Sequence, residues 1–148
     1  PSETGAAITG TLEFNSATYY RFAALNLDML FDNAHIAHLE INERKDVVKA
    51  FVKATLQAVP VARRNSMNGN VPPSYVLCVL REKGHPVQLI NAFESPIHSN
   101  NGIVQKSITA LESEYKTLKD TWGLDGIELR MPEKKLTDLL GEVEKHVK

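Results

Sequence analysis

The sequence predicts an α+β domain. Three observations carry this: a β-rich aromatic run at Thr18 to Leu27, an apolar run at Ser74 to Arg81, and helical apolar periodicity in three other segments. With 148 residues there is enough chain for one domain with a real core.

Taken in order, Thr18 to Leu27 (TYYRFAALNL) clusters Tyr19, Tyr20 and Phe22 and reads as a long strand, broken at Asp32-Asn33. Asn42 is a good N-cap, and Val47, Val48, Phe51, Val52, Leu56 and Val59 recur at helical spacing. An amphipathic helix is therefore expected from Asn42 to Val59, ended by Pro60. Ala62 to Pro73 (ARRNSMNGNVPP) is dense in turn formers and reads as a polar loop. Ser74 to Arg81 is apolar on both alternating faces, as in a strand inside a sheet. Val87 to Phe93 reads as a further short extended segment.

Val104, Ile108, Leu111, Tyr115, Leu118 and Trp122 form one helical stripe, with Gly123 a natural stop. Pro132 suits a first helical turn, and Leu136, Leu139, Leu140, Val143 and Val147 give a last short helix. A strand–helix–strand unit does not close a sheet. With Pro1 in place of a methionine, this order predicts a piece of a longer protein whose open strand edges would self-associate.

Lys+Arg total 17 against 18 Asp+Glu, a net charge of -1, so the chain is not basic throughout; one basic face is still compatible with that balance. Residues 1–42 hold five acidic residues against Arg21 alone, whereas 43–64 hold six basic residues (Arg44, Lys45, Lys49, Lys53, Arg63, Arg64) against Glu43 and Asp46. A positive helix running into the loop Arg63–Asn70 fits a phosphate backbone, with forked Arg donors, neutral Asn and Ser donors, and close approach at Gly69. A solvated helix face followed by a polar turn fits the same pattern. Tyr19, Tyr20 and Phe22 similarly suit either a base-stacking surface or packing beneath helices.

Other chemistry is thinly marked. His35 and His38 have the spacing of a helical metal pair but lack companion ligands. Cys78 lies in an apolar run and reads as a buried small side chain. No phosphate loop, nucleophile elbow or paired metal-binding carboxylates occur, so neither an enzyme, a cofactor nor a metal is expected. No apolar stretch nears the roughly 20 residues of a membrane helix, and a cytoplasmic location is expected.

Several separated motifs keep a familiar order. Gly10 to Leu27 contains Glu13 to Ser16, the Tyr19 to Ala23 step and the Asn26-Leu27 pair. Ala92 to Glu94, Gly102, Gln105 to Ser107 and Trp122 to Leu124 follow. Over Gly10 to Leu124 the chain resembles the C-terminal portion of the type I-E CRISPR Cascade backbone subunits, the CasC family of the RAMP superfamily. The resemblance implies an RRM-like (ferredoxin-like) palm with a thumb remnant over 1–16 and the C-terminal part of the palm with C-terminal helices over 17–148.

It further implies a non-catalytic subunit that polymerises with copies of itself along a CRISPR RNA. That subunit presents the guide for pairing with target DNA beside other Cascade subunits, the base pairing itself reading the sequence. Carried over by position, Thr9, Thr11 and Phe14 belong to the returning half of the thumb, against a displaced nucleotide. Arg63, Arg64, Asn65, Ser66, Asn68 and Gly69 belong to the palm loop meeting the RNA backbone, and Arg21 joins them as an RNA-binding candidate. The loop Ser95 to Asn101, where relatives carry lysines facing target DNA, has His98 and Asn100 instead. Two alternatives follow: an endoribonuclease of the same superfamily, with His98 as its loop histidine, or an inactive structural fragment.

Overall fold

The computed structural model describes residues 17–58, 71–98 and 102–148. In chain order these form α1 (Leu27–Leu30), α2 (Ile41–Gln57), β1 (Val76–Leu80), a 3-10 turn (Ile90–Phe93), α3 (Ile103–Trp122), β2 (Ile127–Met131) and α4 (Leu136–Lys145). The α+β class stands, as a set of helices around a small antiparallel sheet, consistent with part of a ferredoxin-like domain.

β1 and β2 pair in the register Val76↔Met131, Cys78↔Leu129 and Leu80↔Ile127 on one face, with Leu77↔Arg130 and Val79↔Glu128 on the other. Alternation sends these sets to opposite sides. The first face meets α2 and α4: Val48, Leu129, Leu139, Val143 and Val147 are buried together, and Val76, Cys78, Leu80 and Met131 pack against them. The second face meets α3 through hydrogen bonds: Arg130 donates to Glu112, and Glu128 accepts from Tyr115 and Lys119.

The helices start and stop for local reasons. α2 opens on a reciprocal capping box: the Glu40 side chain accepts from the backbone of Glu43, and the Glu40 N–H donates to Glu43 Oε2 at 2.9 Å. The cap is thus Glu40, not Asn42, because two carboxylates three residues apart satisfy two orphan donors where Asn42 would satisfy one. α3 ends at Gly123, whose φ of 60° is the left-handed turn glycine adopts without a Cβ penalty. Its stripe is buried only in the middle: Tyr115 is buried, but Val104 and Trp122 are 41% and 73% exposed.

Four expectations are corrected. Thr18 to Leu27 is not a strand; residues 17–26 have no ladder partner among the described residues, and Asn26 ends the run by accepting from Met29 N to cap α1. Val87 to Phe93 is not extended but closes as the 3-10 turn, with Leu89 buried before it. Pro132 is not in a first helical turn; the residues before it form β2. Pro132 follows the strand, where its missing N–H costs no ladder bond, and α4 begins later, after the cap residue Lys135. β1 therefore has a partner within the chain, and the expectation of two unpaired strands does not hold, although each strand keeps one edge unpaired among the described residues. No helix among the described residues is long and apolar enough to cross a membrane.

Candidate nucleic-acid interface

Of the residues that the resemblance assigns to RNA, Arg21 alone lies among the described residues. Its Nη1 donates to the carbonyl of Ala58 at 3.0 Å, across 37 positions in sequence. Ala58 is the C-cap of α2, where carbonyls lack helical donors and the dipole favours a cation. Arg21 therefore stands at the point where the chain leaves α2 toward the basic loop. Thr9, Thr11, Phe14, Arg63, Arg64, Asn65, Ser66, Asn68 and Gly69 lie outside the described residues, as does the thumb remnant.

The aromatics beside Arg21 divide. Tyr20 is a packing residue: its hydroxyl oxygen accepts from Leu89 N at 3.0 Å and its ring lies 5.4 Å from that of Phe93. Tyr19 is 79% exposed, and Phe22 is only partly covered. A continuous stacking sheet of all three is not what forms, since the segment is not a strand.

The positive face of α2 divides in the same way. Arg44 holds the fold, donating to Ala37 O at 2.6 Å and Leu39 O at 2.8 Å while its guanidinium lies 5.1 Å from the Phe31 ring centre. Lys49 bridges Asp46 at 3.0 Å and Glu144 of α4 at 3.3 Å. Lys45 and Lys53 make no ion pair among the described residues, so they carry what outward charge the helix offers.

A shallow depression between α3 and the sheet is lined by residues that include Glu112, Tyr115, Lys119, Glu128 and Arg130. Sequence reading missed it, although Glu112, Tyr115 and Lys119 share one helical face and Glu128 and Arg130 alternate on one strand face. Arg130 donates to Glu112 through Nε (3.0 Å) and Nη2 (2.9 Å) and lies 2.8 Å from Glu128. Tyr75 also donates to Glu112, while Lys119 and Tyr115 donate to Glu128. Arg130 holds the Glu112 carboxyl below its ordinary range, and Lys119, then Arg130, does so for Glu128. Burial, then Glu128, pushes Tyr115 up to about 12. Each shift moves its group further from neutrality, the reverse of what a general acid or base near pH 7 needs. The network ties α3 to the sheet.

The remaining candidates are simply placed. His35 Nδ1 lies 2.9 Å from Asp32 Oδ1 in an irregular turn, so His35 and His38 lack the helical geometry a metal pair would use. No group of three or more metal-ligating side chains occurs among the described residues. Cys78 packs against the core, and burial raises its thiol pKa. His98 is exposed, and its carbonyl accepts from Lys106 Nζ at 2.9 Å.

These elements belong to a known architecture. The fold is similar to that of a chain in a solved structure described as a CRISPR RNA-guided surveillance complex, with a TM-score of 0.68 and 21% identity. The match covers 82% of this chain and 50% of that one, so this chain spans half the length of the solved relative. The profile of the CT1975-like protein family matches residues 1–146, and the chain belongs to that family of CRISPR-associated proteins. No curated protein matches.

Proposed function

We propose that this chain acts as a non-catalytic, RNA-binding backbone subunit of a type I-E CRISPR surveillance complex. On this reading, successive copies line up along one CRISPR RNA and, beside other Cascade subunits, present it for pairing with target DNA. The observation that carries the reading is that family and fold agree: the CT1975-like profile spans residues 1–146, and the fold resembles a chain of an RNA-guided complex over most of its length. The position of Arg21 supports it, since the guanidinium is held on the carbonyl of Ala58, the C-cap of the helix that precedes in sequence the segment whose arginines are assigned to the RNA backbone. Arg63 and Arg64 are the phosphate contacts in this reading, and Lys45 and Lys53 add charge on the neighbouring helix.

The test is guide RNA binding as a function of salt. Arg63→Ala with Arg64→Ala should weaken affinity and flatten the plot of log K against log salt by roughly 0.7 for each single-strand phosphate that is no longer neutralised. Affinity and slope equal to those of the parent protein would remove the loop from the site. Absence of any RNA binding by the parent protein would overturn the reading itself.

A further inference from the structure

We propose that Tyr19 and Arg21 form a seat for one unpaired nucleotide of a single-stranded RNA, the phenol ring stacking on the base and the guanidinium holding the adjoining phosphate. The inference rests on the RNA-binding reading above and names two contacts that reading does not assign together.

Tyr19 is the most exposed of the large apolar and aromatic side chains among the described residues, at 79%. An exposed ring on a loose strand would mean little, but this one stands on a fixed support. The next residue, Tyr20, is held through its hydroxyl by Leu89 N at 3.0 Å and through its ring by Phe93. The residue after that, Arg21, is held by Ala58 O at 3.0 Å. Further along, Leu25 and Leu27 pack against the core. The backbone beneath Tyr19 is thus tied to three other parts of the molecule, and little order remains to be imposed when a base arrives.

Arg21 contributes the second half. The bond to Ala58 engages Nη1, and among the described residues no other hydrogen bond holds the fork, which is exposed and suited to a phosphate. Residues two apart lie at most about 7 Å from each other along the chain, within the reach of two long side chains on one nucleotide. An aromatic ring beside a guanidinium is the usual pairing on sequence-tolerant single-strand platforms, because every base has a π face and every link a phosphate.

Trp122 is the obvious competitor, being 73% exposed. Its surroundings argue against nucleic acid: Lys119 is engaged by Glu128 at 2.5 Å, and Asp120 and Asp125 stand beside it in the chain. A phosphate there would meet these carboxylates, with Lys119 already paired to Glu128.

The experiment uses the intact protein and single-stranded RNA carrying 2-aminopurine at successive positions. Binding should quench the fluorescence at positions seated on Tyr19. Tyr19→Phe should keep both quench and affinity, whereas Tyr19→Ala should lose the quench and bind roughly 5- to 150-fold more weakly, the range for loss of one base stack. Arg21→Lys keeps the charge but not the fork, and should weaken binding while the quench persists. Because Tyr19 is exposed, its Ala variant should melt with the parent protein. Parental affinity and quench in Tyr19→Ala would overturn this inference and leave the RNA-binding reading standing. Failure of the parent protein to bind RNA would overturn both.

Discussion

Arg130→Met probes the network that joins α3 to the sheet. Arg130, Glu112 and Glu128 have side chains 22%, 31% and 18% exposed, so their contacts are shielded more than those of surface pairs, which contribute about 0–1 kcal/mol. The Arg130–Glu112 contact is bidentate, the stronger geometry. Removing one partner of a fully buried pair costs about 3–5 kcal/mol. Here both carboxylates keep other donors, Tyr75 for Glu112 and Lys119 with Tyr115 for Glu128. The loss should therefore be intermediate, about 2–3 kcal/mol at neutral pH. At about 2–4 °C per kcal/mol for a chain of this size, the Tm should fall by roughly 4–12 °C.

The effect has a pH signature. Hydrogen bonding from Arg130 depresses Glu112, and hydrogen bonding from Lys119 and then Arg130 depresses Glu128, both from an ordinary value of 4.5. A carboxylate depressed in the folded state contributes stability that is present above its unfolded pKa and lost as pH falls through the folded one. The gap between parent and Arg130→Met should thus be full at pH 7 and close as the pH is lowered below about 4.5. Urea unfolding across pH 3 to 7 measures it, and a cycle with Glu112→Gln isolates the coupling. A gap under about 1 kcal/mol at pH 7 would show that water screens the network, and a larger gap unchanged down to pH 3 would show that the carboxylates do not carry it.

Leu139 has no exposed surface and lies between α4, α2 and the sheet, so Leu139→Ala should cost about 3–5 kcal/mol, read as a lower urea midpoint at unchanged slope. The non-catalytic reading predicts that labelled RNA and DNA stay intact with the purified protein, with or without Mg²⁺, and that His98→Ala changes nothing. Metal-dependent cutting that follows the protein through purification would overturn it.

The parts of the fold that were legible are those whose periodicity is strong over many residues. α2, α3 and α4 each repeat an apolar face, and β1 is a short apolar run between turn formers. β2 was not legible, although Ile127, Leu129 and Met131 alternate with Glu128 and Arg130; the two charges in five residues weaken its apolar signal, and Pro132 reads as a helix start. Those charges lie on the α3 side, where Glu112 and Lys119 of that helix neutralise them. The error at Thr18 to Leu27 runs the other way. Aromatic β-propensity measures fit to a half-buried pleated surface, and among the described residues this segment finds no such edge. Capping was only half legible, because a pair of glutamates at Glu40 and Glu43 acts as the box usually signalled by Ser or Thr.

The candidate site was legible as residue types but not as geometry. Arg21 drew attention because it stands alone among acidic residues and aromatics; its contact with Ala58 depends on a tertiary approach no local pattern encodes. Counting six cations between 43 and 64 also overstated the charge available to RNA, since Arg44 and Lys49 have partners in Leu39, Ala37 and Glu144. Elsewhere Arg81, Lys119, Arg130 and Lys145 are engaged as well. A chain of net charge -1 with these cations already engaged can neutralise fewer phosphates than its cation count suggests. On the proposed reading this is workable only because the contacts repeat: linking many weakly held subunits to one strand turns each further contact into an intramolecular one, so avidity rises without a strongly basic surface on any single copy. The same arithmetic explains why the few outward groups matter. On that reading Tyr19 would add stacking that needs no charge, and Arg21 would add a fork already held at Ala58.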